Sequence, residues 1–154
     1  LQLANYICTL VSGGVRREPH LLKAVKSYDN SQVLAVGNTE PVQTLELHDA
    51  TLEAVKKGMY GYTQPGGSVA AYFQNCVVTA GAKTGTSELG GNQTENGVFV
   101  CFAPYDDPEI AVAIVIEHAT WGSNLATTGV DILNAYFTAD ETGSAVTGEN
   151  QLLP

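Results

Sequence analysis

Three strand-like runs follow one another in the second half of the chain: Val77 to Ser87, Val98 to Ala103 and Ile110 to Glu117. The last is nearly continuous in Ala, Val and Ile, a pattern that predicts burial on both faces. Only short segments separate the runs. The first carries the polar Gly90-Gly91-Asn92-Gln93, and the second is the Asp- and Pro-rich stretch Pro104 to Pro108. Strands joined so closely form an antiparallel meander, because a parallel pair needs a crossover of a dozen residues or more. Asn124 to Phe137 then places Leu125, Val130, Leu133 and Phe137 in helical register, so an amphipathic helix packs on that sheet.

The first half reads differently. Leu3, Tyr6, Ile7, Leu10 and Val11 form a helical stripe over Leu1 to Ser12, and Gly13-Gly14 stops it. His20 to Tyr28 and Gln32 to Val36 read as two short strands joined by the turn residues Asp29-Asn30-Ser31, a small hairpin. Asn38 to Pro41 is a connecting loop. Leu52, Val55 and Met59 mark a second helix over Leu47 to Met59, with Asp49 and Glu53 early and Lys56 and Lys57 late, the order that suits the helix dipole. After the turn Pro65-Gly66-Gly67, Ser68 to Asn75 is a further short helix. Helices precede the sheet, so the class is α+β: a three-stranded antiparallel meander with flanking helices. Residues 1–139 form the domain portion, and 140–154 form a polar, loosely ordered C-terminal tail.

Composition excludes several functions. The 154 residues suffice for one ordinary domain, and an apolar fraction of 44% supports a packed core. Sixteen acidic residues against seven basic ones give a net charge of -9, with no basic cluster longer than Arg16-Arg17 or Lys56-Lys57. Nucleic-acid binding is therefore not expected. No apolar run approaches the roughly 18 residues of a membrane-spanning helix. Cys8, Cys76 and Cys101 lack metal-ligand spacing and read as three buried thiols. His20, His48 and His118 are scattered, so neither a metal nor another cofactor is expected.

Lys83-Thr84-Gly85-Thr86, near the end of the first strand run, is the segment that carries chemistry. A phosphate-binding loop would need Gly before the Lys and another Gly five positions earlier. Ala82 and Val77 occupy those places, and no helix follows. The other reading is the K-T-G element of penicillin-recognising serine enzymes. There, Lys83 supplies a positive charge for a substrate carboxylate and Thr84 adds a hydroxyl hydrogen bond to it. Gly85 lets the substrate backbone lie close, and the N–H of Thr86 faces the developing oxyanion. As a bare tetrapeptide, the segment could equally be an edge-strand end with a Lys for solubility.

Its surroundings decide between the two. Thr79 to Glu88 resembles the third-motif strand of class B penicillin-binding proteins, with Ala82 where that family usually has Gly. Leu1 to Tyr6, Gly13-Gly14 and Pro19-His20-Leu21 resemble the helix after the family's second motif. Lys57 to Gly61 resembles the helix preceding the third-motif strand, and Asn96 to Pro104 with Ile110 to Val115 is similar to the last two strands. The resemblance implies part of the penicillin-binding protein and serine β-lactamase-like fold. It also implies a D,D-transpeptidase that crosslinks peptidoglycan stem peptides ending in D-Ala-D-Ala through an acyl-serine and binds β-lactams. Lys83 and Thr86 would then be catalytic, and Lys83, Thr84, Gly85 and Thr86 would bind substrate. A serine β-lactamase, or a non-catalytic β-lactam sensor or cell-wall scaffold, are the alternatives.

The family's other two motifs are S-x-x-K and S-x-N. Ser12, Ser27, Ser31, Ser68, Ser87, Ser123 and Ser144 all lack Lys three positions later and Asn two positions later. The expectation is a C-terminal half of a transpeptidase domain, either truncated from a longer chain or completed by another one, and inactive alone. By the resemblance, the parent is membrane-anchored and works on the extracytoplasmic face. A sheet cut to three strands leaves an edge through which the fragment would self-associate.

Overall fold

A computed structural model describes residues 1–88, 90, 94–119 and 121–139 of the chain. Helix α1 (Gln2–Val11) opens the fold and ends at Gly13 and Gly14, both at positive φ, with the Gly14 N–H donating to Thr9 O at 2.8 Å. Four short strands follow: β1 (Val15–Arg17), β2 (Ala24–Lys26), β3 (Val33–Val36) and β4 (Pro41–Thr44). Helix α2 (Asp49–Thr63) and the single turn α3 (Ala70–Phe73) lead into β5 (Gly81–Ser87), β6 (Asn96–Ala103) and β7 (Ile110–Ile116). A 3₁₀ turn at Gly122–Leu125 runs into α4 (Ala126–Thr138). The α+β class and the meander both hold: β5, β6 and β7 are antiparallel neighbours in that order.

Strand alternation sends the middle strand's side chains into two cores. Phe99, Cys101 and Ala103 face one side, where Phe73, Leu125, Val130 and Leu133 cover them. Val100 and Phe102 face the other, against Ile7 of α1 and Met59 of α2. Phe99 and Phe102 are both fully buried, each contributing about 1.5–3 kcal/mol of apolar burial. The sheet is thus held between α3 and α4 on one face and α1 and α2 on the other.

Several elements differ from expectation. β7 is not buried along both faces: Val112 is, but Val115 and Ile116 are 56% and 45% exposed. They lie at the end of the strand, beyond the residues the two cores enclose, and no described strand pairs with β7's second edge. Helix α2 continues one turn past Met59 despite Gly58 and Gly61, with Thr63 Oγ1 lying 2.9 Å from Tyr60 O and 2.7 Å from Ala80 O, so that its one proton can be donated to either carbonyl. Lys56 and Lys57 therefore sit mid-helix, and the last turn holds no basic residue. β5 begins at Gly81 rather than Val77, whose N–H donates instead to Asn134 Oδ1 of α4 at 2.9 Å. The β1–β4 ribbon occupies part of what read as loop; its strands are too short for a periodic signal. Of the three thiols only Cys101 is fully buried, and burial, then the neighbouring Cys76, pushes its pKa up to about 12. Cys76 is half-buried and Cys8 is exposed. Gly91 to Gln93 and the tail 140–154 lie outside the described residues.

The β2–β3 hairpin is shorter than its sequence pattern, yet its turn is as read. Asp29 Oδ1 accepts from Ser27 Oγ at 2.6 Å, Ser31 Oγ at 2.8 Å and Ser31 N–H at 3.1 Å, with Asn30 at φ 57°. These donors, the Ser27 hydroxyl foremost, lower the carboxyl from 3.8 to about 2. A depressed carboxyl stabilises the turn fully above its unfolded value and loses that effect as pH falls through the folded one. The Ser31 amide should therefore lose protection between about pH 4 and pH 2, and Asp29→Asn should abolish that pH dependence in amide-exchange NMR.

Gly122 makes a tight backbone crossing against the sheet. A Cβ there would press into Gly85 O and stand 2.6 Å from Val98 O, both backbone atoms that cannot step aside. Gly122→Ala should cost about 1–3 kcal/mol, read as a fall in denaturation midpoint. An unchanged midpoint would show that the 3₁₀ turn does not bear on the sheet.

Candidate functional site

Lys83, Thr84, Gly85 and Thr86 lie together on β5, the outer strand of the sheet among the described residues. β6 takes one edge of β5 and no described strand takes the other, so that edge has backbone N–H and C=O groups for an extended ligand. Register sets the side-chain directions. Ala82 and Thr84 stand opposite Cys101 and Phe99, whereas Lys83 and Gly85 stand opposite Val100 and Val98. Ala82 is fully buried in the core shared with α4, so the methyl that departs from the family pattern is absorbed by the core.

The end of α2 meets this strand. Lys83 Nζ sits 5.0 Å from the centroid of the Tyr62 ring and donates to Thr84 O at 2.8 Å. Tyr62 Oη and Thr84 Oγ1 share a hydrogen bond of 2.6 Å. The one ion pair among the described residues joins Lys56 to Glu53 at 3.3 Å. No described carboxylate neutralises Lys83, which leaves its exposed ammonium able to meet an anion.

Gly85 contrasts with Gly122. A Cβ at Gly85 would meet only Val98 Cβ, at 3.5 Å, an ordinary contact. Neither packing within the chain nor backbone conformation calls for glycine there, so the small residue leaves room outside. Thr86 is exposed beside it, opposite Gly97. A cavity of about 490 Å³ lies elsewhere, lined by Ala4, Cys8, Val11 and Ile110. The site is an open strand edge, one wall without an opposite side. No cluster of His, Cys, Asp or Glu able to hold a metal occurs among the described residues.

Tyr62 is the residue that sequence reading missed. It follows Gly61 directly and lies in the extra turn of α2, beyond the helix as read from periodicity.

The family model described as the penicillin binding protein transpeptidase domain matches residues 1–135. This chain belongs to that family. It is 30% identical over 155 residues to the peptidoglycan D,D-transpeptidase MrdA of Escherichia coli, a match covering 91% of this chain and 24% of that protein. It is 31% identical over 150 residues to penicillin-binding protein 2B of Streptococcus pneumoniae, covering 88% of this chain and 22% of that protein. Among solved structures, Pseudomonas aeruginosa PBP2 in complex with WCK 5153 aligns with a TM-score of 0.72 and 27% identity, over 92% of this chain and 31% of that one. The chain thus spans about a quarter of the length of the curated relatives it matches.

Proposed function

We propose that this chain supplies the substrate-binding wall of a peptidoglycan D,D-transpeptidase whose serine nucleophile lies in residues outside it. The observation that carries this reading is the exposed, unneutralised Lys83 on a free strand edge, followed by a glycine that internal packing does not require. The curated relatives support it, one of them being named for the same activity.

A stem peptide ending in D-Ala-D-Ala lies along β5, its terminal carboxylate drawn to Lys83 and hydrogen-bonded by Thr84. Gly85 allows the peptide backbone to approach. The serine attacks the D-Ala carbonyl, the tetrahedral oxyanion is stabilised by the N–H of Thr86, and D-Ala leaves. An amine from a neighbouring strand then takes the acyl group and releases the serine. β-Lactams, which carry a carboxylate beside a strained amide, enter the same wall and acylate the same serine. Since no serine of this chain stands in S-x-x-K or S-x-N, the chain by itself forms no acyl-enzyme. The parent protein is membrane-anchored and acts outside the cytoplasmic membrane; in this chain, no described helix is long and apolar enough to cross one.

In the parent, Lys83→Ala should slow acylation by a fluorescent penicillin roughly ten- to a hundredfold, the loss of a charge-assisted hydrogen bond, without altering the denaturation midpoint. Gly85→Val should block acylation by filling the space where the ligand lies, again with little change in stability. Unchanged acylation in both variants would remove β5 from the site.

The free edge of β7, with Val115 and Ile116 exposed, supports self-association of this chain in isolation by strand pairing. Light scattering should show mass rising with concentration, and a monodisperse monomer at high concentration would refute it.

A further inference from the structure

Resting on that reading of the strand, we propose that Tyr62 is a positioning residue for carboxylate recognition, aiming the Thr84 hydroxyl proton and the Lys83 ammonium at the ligand. Its backbone is held on both sides: Tyr62 O accepts from Val69 N–H at 3.2 Å, and neighbouring Thr63 is tied to Ala80 O at 2.7 Å. A half-buried ring fixed in this way makes two contacts with adjacent members of the motif, the 2.6 Å hydroxyl pair with Thr84 and the 5.0 Å approach of Lys83 Nζ to its face.

The hydroxyl pair has a direction once a ligand arrives. In the free strand either oxygen can donate. An ionised carboxylate only accepts, so Thr84 must turn its proton outward, and Tyr62 must then donate to the Thr84 oxygen. The resulting chain, Tyr62 O–H to Thr84 O–H to carboxylate, polarises the Thr84 proton and strengthens the outer bond. The Tyr62 ring meanwhile steadies Lys83. One ammonium proton goes to Thr84 O, and two remain for the ligand. Tyr62 touches neither the reacting carbonyl nor the oxyanion, so it acts on binding and not on the chemical step.

The test uses the full-length parent and two probes: a fluorescent penicillin and the neutral methyl ester of the same molecule. Stopped-flow acylation separates the initial dissociation constant from the acylation rate constant. Tyr62→Phe, which keeps the ring and removes only the hydroxyl, should raise the dissociation constant of the carboxylate form roughly fivefold. The ester's constant should not change, and the acylation rate constant should stay within about twofold. In a Thr84→Val background, Tyr62→Phe should have no further effect, because the two hydroxyls act as one unit. Tyr62→Leu, lacking the ring as well, should weaken carboxylate binding beyond Tyr62→Phe. Equal loss for acid and ester, no loss, faster acylation, or additivity with Thr84→Val would each overturn the proposal. Lys83→Ala in the same assay separates the two levels. If it abolishes the preference for acid over ester while Tyr62→Phe leaves it intact, only the role of Tyr62 fails. If Lys83→Ala preserves the preference, the reading of β5 as the carboxylate-binding wall fails with it.

Discussion

The joint between the end of α2 and β5 is the constraint on which the site depends. Thr63 donates one hydroxyl proton that can satisfy either the carbonyl of Tyr60 or that of Ala80, and it lies close enough to both to bind helix to strand. Because Thr63 is buried, leaving that hydroxyl unpaired would cost about 1–3 kcal/mol, so the joint is specific as well as favourable. It has two consequences. It carries α2 a full turn past Met59, and that turn brings Tyr62 to β5, whose outer edge no described strand takes. Met59, one turn earlier, packs into the core that holds Phe102, so the same helix supports the sheet at one end and borders the site at the other.

The open edge is tolerable because the rest of β5 is firmly placed. Ala82 is sealed in the core with Cys101 and Val112, and β6 pairs with β5 without interruption from Gly81 to Ser87. Gly122 presses against Gly85 O from the α4 side, so the strand is backed at Gly85. The two glycines divide the work. One permits contact within the fold, and the other leaves space beyond it.

Much of this was legible in the sequence, and the exceptions share a cause. The meander was readable because three apolar runs with short connections admit one pairing pattern, and the Asp29 turn because its chemistry is local. Lys83 to Thr86 were readable because four adjacent residues need no tertiary information to be recognised together. By contrast, β1 and β4 are three and four residues long and pair across the hairpin between them, so neither carries a pattern of its own. The last turn of α2 contains Gly61, which lowers helix propensity by about 1 kcal/mol, and contacts with distant residues, among them Thr63 with the Ala80 carbonyl and Tyr60 with the Tyr105 ring, help to offset that. Tyr62 was missed for the same reason: its partners are 21 and 22 positions away and meet it only after folding. Val115 and Ile116 misled in the opposite sense, since apolar composition marks a strand fit for burial without saying what covers it.

Charge places a last constraint on how such a wall can work. The chain carries a net charge of -9, so a carboxylate approaching it is repelled on average rather than steered. At physiological ionic strength that repulsion fades beyond about 8 Å, whereas the attraction of a single ammonium at hydrogen-bond distance is screened far less. On the proposed reading of β5, recognition of an anion is therefore a contact effect, built from the Lys83 ammonium and the Thr84 hydroxyl at short range. A contact effect depends on where the donors point, because hydrogen bonds weaken steeply with angle while a diffuse field does not. An exposed lysine with four rotatable bonds is poorly suited to that task alone. The fold gives it an aromatic face to rest on and a strand carbonyl to bind. Local order thus substitutes for the long-range field that this acidic surface does not provide.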